Sequence, residues 1–393
     1  MNIQPYRTPP KWWSPKLTPW VVRLCGPLRR RVLRRDQRIM DIEIRGMEHL
    51  QRAIDDGCGI IITSNHSSHT DPPLMYEIAR NVGTYLYFMA AWQVFDRDNW
   101  LRQQLFRRHG CFSVDREGAD MRAFRQAVEI LQSAPHPLVI FPEGEVYHVN
   151  ETVTPFMDGP AAIGITAQKR AERPIVFVPC GMKFQYVQDP TDELTELMGR
   201  LEQQILWRPR SDMLLADRIY RFAQGLLGVK ELEYLGHVQD GPLPDRVKGL
   251  AEFVLAGIEQ RYEVKKDDGT LLPERVKNCR REVIKKLEDE DPQTQQQAMI
   301  DLDDLFMVIQ LFSYPGDYVA AKPTIERMAE TLDKFEEDIF RVKTATIRGT
   351  RKATVAIGDP IPVTLASDKK QSITTLTAKL ETAVQSLLDS IKI

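Results

Sequence analysis

The stretch "DDGCGIIITSNHSSHTDPPL" (residues 55–74) decides the reading of the chain. A Gly-containing turn is followed by Ile60, Ile61 and Ile62, a continuous apolar run that predicts a buried strand. Asp71 before Pro72 and Pro73 predicts a helix start. Asp can cap, and proline fits the first turn because its missing N–H has no partner to lose there. The polar residues between them therefore occupy a strand–loop–helix corner. His66 and Asp71 are five apart, which would not place them on one face of a continuous helix. In such a corner the carboxylate can fold back onto the imidazole, hold its tautomer and leave the other ring nitrogen free as a base. Two alternatives remain at this point. The loop could be polar and capping only, or His66, His69 and Asp71 could ligate zinc, although HExxH and CxxC companions are missing.

Strand and helix signals alternate around the corner. "IEIRG" (42–46), "TYLYFM" (84–89), "GCFSVD" (110–115), "PLVIFPEG" (137–144) and "RPIVFVPCG" (173–181) read as strands, some running into loops. "DMRAFRQAVEILQS" (120–133) reads as a helix capped by Asp120, with Met121, Phe124, Val128 and Leu131 at helical spacing. The alternation predicts an α/β fold: a mostly parallel central sheet flanked by helices, with its site at the strand ends. After residue 190 helical spacing takes over, at Leu194, Leu197, Leu201 and Ile205, at Val247, Leu250, Val254 and Ile258, and at Ile325, Met328, Leu332, Phe335 and Ile339. Strand character returns in "KATVAIGDPIPV" (352–363), before a final helix over 373–392. The expected organisation is an arm at 1–40, the α/β domain at 41–190 and 346–393, and a large all-helical insertion at 191–345.

Composition sets outer limits. The 393 residues are 42% hydrophobic and 27% charged, ordinary for a globular core. The net charge of −2 hides an asymmetry. Residues 1–40 hold ten Lys/Arg and one acid, whereas 191–350 hold 23 Lys/Arg and 31 Asp/Glu. A basic arm carrying Trp12, Trp13 and Trp20 suits an anionic membrane surface, with packing of the arm on its own domain as the alternative. Pro15, Pro19 and Pro27 break the arm into short pieces. No apolar run reaches membrane-spanning length, and no secretory signal is recognisable. The five scattered cysteines read as reduced thiols, with Cys111 and Cys180 as small buried apolar residues.

Four blocks in order carry a resemblance. "NHSSHTD" (65–71) resembles the NHx4D motif of the glycerolipid acyltransferases, the family that includes lysophosphatidic acid acyltransferases. "GCFSVDR" (110–116), "FPEG" (141–144) and "IVFVPCG" (175–181) resemble its second, third and fourth blocks. "PFMDGPAAIG" (155–164) and "VAIGDPIPV" (355–363) resemble its linking segment and closing strand. The resemblance covers roughly 40–190 and 350–393 and leaves 190–345 unexplained. It implies an O-acyltransferase that moves a fatty acyl group from acyl-CoA or acyl carrier protein to a lyso-glycerolipid hydroxyl, favouring 1-acylglycerol-3-phosphate.

Carried over, His66 is the general base and Asp71 its orienter, with Asn65, Arg116, Glu143 and Gly144 binding substrate. Arg116 would hold the acceptor phosphate, Gly144 would let backbone approach the substrate, and His69 fills a variable slot. No acyl-enzyme is implied, and no GxSxG elbow is present. Backbone N–H groups of the His66 loop or of Gly144 are candidate oxyanion donors. No metal, no cofactor and no nucleic acid are expected; the partners are the lipid acceptor, the acyl carrier and the inner face of the cytoplasmic membrane. A lipid-binding scaffold without activity and a thioester hydrolase are the rival functions. One departure stands out. The third block often continues with Thr or Ser and then Arg, whereas "FPEGEVYH" places Glu145 and Val146 there. Either a second cation such as Lys183 assists Arg116, or the acceptor carries another headgroup.

Overall fold

The computed structural model describes residues 10–96, 99–116, 120–266, 269–287, 289, 291–365 and 368–392. The first nine residues of the expected arm lie outside them. The chain divides into two compact units, one formed by Pro10–Pro190 with Thr346–Ile393, the other by Thr191–Ala345.

The first unit is built on an eight-stranded, mostly parallel sheet. Its strands are β1 (Ile39–Arg45), β2 (Gly59–Ser64), β3 (Tyr87–Ala91), β4 (Cys111–Val114), β5 (Leu138–Ile140), β6 (Ile175–Tyr186), β7 (Arg351–Ile357) and β8 (Ile361–Pro362). They run in the order β1-β7-β6-β2-β5-β3-β4, with β8 also on β6. Neighbours are parallel except where β6 meets β7 and β8. The twelve-residue β6 explains the mixture. Its first half pairs with β2 through Gly59↔Ile175 to Ser64↔Cys180, and its second half pairs with β7 through Cys180↔Ile357 to Tyr186↔Arg351.

Helices cover both faces. They are α1 (Pro19–Leu24), α2 (Gly26–Arg35), α3 (Met47–Asp55), α4 (Asp71–Asn81), α5 (Trp92–Asp96), α6 (Trp100–Arg108), α7 (Met121–Ser133) and α8 (Gly159–Gln168). Every residue of β2 is buried, as expected of a central parallel strand. The pleat sends Ile60 and Ile62 to one side, among Leu50, Leu74, Met75 and Ile78 of α3 and α4. It sends Ile61 to the other, among Ala127, Leu131, Ile163 and Ile165 of α7 and α8. Gly164 matters here, because a Cβ would lie 2.6 Å from the Phe177 ring and hold α8 away from β6. On α7 the buried stripe is Ala123, Ala127, Ile130 and Leu131. Met121, placed on the apolar face by spacing alone, is exposed. The small alanines are what let α7 and α8 approach.

The second unit is helical among its described residues: α9 (Thr191–Leu206), α10 (Leu215–Leu235), α11 (Leu243–Arg261), α12 (Leu272–Lys286), α13 (Pro292–Phe312), α14 (Tyr318–Ala321) and α15 (Ile325–Phe340). Leu250, Leu255, Val276, Val283, Leu302 and Leu305 form its main core. The chain then returns to the sheet through β7 and β8 and ends in α16 (Lys369–Ser390), whose Leu380 and Val384 pack with α8 and β6.

The described part of the arm is sewn onto this unit. Trp13 stacks on Phe95 at 5.2 Å, and Trp12 packs on Phe112. The Trp13 N–H donates to Ser113 Oγ, and the Lys16 and Thr18 N–H groups donate to the Arg107 and Arg108 carbonyls. Trp20 differs, being 62% exposed.

Candidate active site

The parallel strands β2, β5, β3 and β4 are consecutive in the sheet, and all end on the same edge. The residues singled out by sequence follow those ends: Asn65 and His66 after β2, Glu143 and Gly144 after β5, Arg116 after β4. Such carboxyl ends are where open α/β sheets form ligand crevices.

His66 Nδ1 lies 2.9 Å from Asp71 Oδ2. A carboxylate oxygen can only accept, so Nδ1 carries the proton and Nε2 holds the lone pair. Among the described residues Nε2 makes no hydrogen bond. The Asp71 carboxylate is fully buried at the first turn of α4, where the helix dipole favours negative charge. Its Oδ2 also accepts the Ser68 N–H at 2.9 Å, so the loop between the two residues closes on the same oxygen. The imidazole lies on the Phe141 ring, with centroids 4.1 Å apart and planes 16° from parallel. Its side chain is 16% exposed. The ring is thus fixed by a hydrogen bond at one edge and an aromatic face beneath, a geometry suited to taking a proton at Nε2.

Glu143 is buried, and its carboxylate joins two loops. Oε1 accepts the His66 N–H at 2.7 Å, and Oε2 accepts the Thr154 N–H at 3.0 Å as well as the Thr154 hydroxyl. Burial pushes its carboxyl up to about 7, against the opposing pull of these bonds. Asn65 is fully buried and pairs with the Met182 backbone in both directions: its amide donates to the carbonyl and its oxygen accepts the N–H, each at 2.8 Å. It extends the β2–β6 ladder past Ser64. Gly144 has φ +80°, the left-handed region glycine favours, and its N–H donates to the Phe141 carbonyl. Arg116 Nη2 is 2.7 Å from Glu145 Oε1, and Nη1 donates to the Gly144 carbonyl.

Two expectations are corrected by these bonds. Of the oxyanion donors expected in the His66 loop and at Gly144, the His66, Ser68 and Gly144 N–H groups are committed to Glu143, Asp71 and Phe141. Lys183 is buried and donates to the Leu388 and Ile391 carbonyls at the end of α16, so it is no second cation beside Arg116. His69 is half-buried with its ring edge toward His148 at 5.9 Å. Phe141 as a platform, Thr154 as a donor to Glu143 and Met182 as the partner of Asn65 carried no sequence signal of their own. Each depends on which loops the sheet order brings together.

Residues 41–183 match the family model described as Acyltransferase. With the geometry above, this segment is similar to the acyltransferase domains of glycerolipid acyltransferases. Similar curated proteins include the glycerol-3-phosphate acyltransferases of Shewanella sp. (strain W3-18-1) and Shewanella putrefaciens (strain CN-32). Each is 27% identical over 167 residues, which cover 41% of this chain and 20% of the relative. The match thus spans about a fifth of the length of those relatives.

Proposed function

We propose that the protein is a membrane-peripheral O-acyltransferase that moves a fatty acyl group from acyl-CoA or acyl carrier protein to a hydroxyl of a glycerol-based lipid. The observation that carries this reading is the His66–Asp71 pair at the end of β2, with Nε2 as the nitrogen left for an incoming hydroxyl. An alcohol is a poor nucleophile at neutral pH. In this scheme Nε2 takes the hydroxyl proton as the oxygen bonds to the thioester carbonyl carbon. The resulting imidazolium is stabilised by Asp71. When the C–S bond breaks, the proton passes from Nε2 to the departing thiolate. The acyl group goes directly to the acceptor, with no acyl-enzyme. Glu143 and Asn65 act in the scheme by holding the His66 loop against the β5 loop and β6.

The acceptor favoured by the family resemblance is 1-acylglycerol-3-phosphate, while the relatives' name points to glycerol 3-phosphate. The test is incubation with labelled acyl-CoA and a panel of both, together with 1-acylglycerol and an acceptor-free control, followed by product identification. An esterified lipid supports the reading. Labelled free fatty acid alone would point to a thioester hydrolase, and no turnover to a binding protein.

Membrane contact is the second element of the proposal. No helix among the described residues is long and apolar enough to cross a membrane. Trp20, Leu24 and Leu28 are exposed on α1 and α2, alongside exposed Arg23, Arg30, Arg31, Arg34 and Arg35. Apolar side chains flanked by arginines suit the headgroup region of an anionic bilayer. Trp12 and Trp13, engaged with Phe112 and Phe95, serve the domain instead.

A further inference from the structure

Glu145 lies where the reading above would place an acceptor headgroup. The loop after β5 runs from Phe141, beneath the His66 ring, through Glu143, which holds the His66 N–H, to Gly144 and Glu145. Arg116 reaches this loop from the end of β4, where its contacts include the Glu145 carboxylate at 2.7 Å and the Gly144 carbonyl. The two side chains are only 15% and 25% exposed. A pair so sheltered is weakly screened by salt, so its attraction persists at physiological ionic strength. Any anion approaching Arg116 must therefore displace Glu145 or accept its repulsion a few ångströms away. An uncharged group meets neither penalty.

We propose that Glu145 is a specificity-determining residue. It occupies the anion position on Arg116 and penalises acceptors that present a phosphate monoester there, relative to acceptors that are uncharged at that point. The proposal rests on the acyl-transfer reading. It makes Glu145 an internal competitor, with Arg116 neutralised in the resting site.

The experiment uses the full chain, labelled acyl-CoA, and two acceptors that differ only in the phosphate, 1-acylglycerol-3-phosphate and 1-acylglycerol. The wild type is expected to use 1-acylglycerol at least as efficiently as the phosphate. Glu145→Gln keeps the size and one oxygen for Arg116 while removing the charge. It should lower KM for 1-acylglycerol-3-phosphate by about tenfold, the scale of one charge-assisted contact. KM for 1-acylglycerol should stay within about twofold, and kcat should hold for both. A tenfold wild-type preference for the phosphate, an equal change toward both acceptors, or a KM that rises for the phosphate in the variant would each overturn the proposal. The wild-type comparison stands even if the variant does not fold. Acylation of neither acceptor, nor of glycerol 3-phosphate, by the wild type would instead remove the acyl-transfer reading on which it depends.

Discussion

Asp71→Asn separates the charge of Asp71 from its role as an orienter. Both hydrogen bonds to this side chain, from His66 Nδ1 and the Ser68 N–H, end on Oδ2. An asparagine oxygen in that place accepts both, so the ring stays oriented. The charge that stabilises the imidazolium is lost. With charge centres about 4 Å apart and an effective dielectric of about 20, that interaction is worth ~4 kcal/mol, or about 10³-fold in rate. The new amide would sit where Asp71 Oδ1 lies buried without a partner among the described residues. That orphaned donor costs roughly 1–3 kcal/mol of stability, so a thermal melt must accompany the kinetics. The assay follows release of free CoA thiol in the presence of acceptor. A kcat loss of about 10²–10⁴-fold in a folded variant is expected. A folded variant that keeps kcat within about tenfold of wild type would refute the electrostatic role of Asp71.

Three further outcomes follow from the site and its surroundings. Arg116→Ala should raise KM for a phosphorylated acceptor, because it leaves the Glu145 carboxylate unopposed, while KM for acyl-CoA changes little; equal loss with 1-acylglycerol would remove the headgroup role. Glu143 should make stability pH-dependent. Its carboxyl is held up to about 7 by burial, above its ordinary 4.5, so the native state keeps a proton that the unfolded chain gives up. Its contribution is fully present below about pH 4.5 and lost as pH rises through about 7, up to ~3 kcal/mol in all, so the stability of wild type relative to Glu143→Gln should fall across that window; parallel curves would contradict it. Replacing Trp20, Leu24 and Leu28 together by serine should abolish salt-sensitive sedimentation with anionic vesicles without changing the melt; unchanged binding would move the membrane face elsewhere.

Much of this site could be read from the chain because the elements around it are locally determined. The Ile60–Ile62 run predicts a buried strand and Asp71 with two prolines predicts a helix start, so the corner that allows His66 to meet Asp71 was legible from short-range rules, although capping alone and zinc ligation remained open there. The α/β alternation placed the site at strand ends, and the resemblance named Arg116 and Glu143, which follow β4 and β5 on either side of β3. What remained hidden depends on long-range pairing. Nothing local says that β6 is long enough to pair with β2 over its first half and with β7 over its second. Nor does it say that Asn65 spends its amide on Met182, or that Glu143 points inward to the His66 N–H. The same limit misled the reading of α7, where helical spacing favoured Met121 and packing chose Ala123 and Ala127. Trp12 and Trp13 looked like membrane anchors because the aromatic surfaces they cover, Phe112 and Phe95, lie about 80 to 100 residues away in sequence.

The central claim is that His66 Nε2 is the base for acyl transfer, and His66→Ala tests it most directly. Single-turnover transfer from labelled acyl-CoA to whichever acceptor the wild type uses best should be measured at saturating concentrations of both substrates. The variant should melt close to wild type, because the ring is partly exposed and its backbone N–H to Glu143 is retained. The account predicts a loss of about 10²–10⁴-fold or more. Transfer within about tenfold of wild type by the folded variant would contradict it.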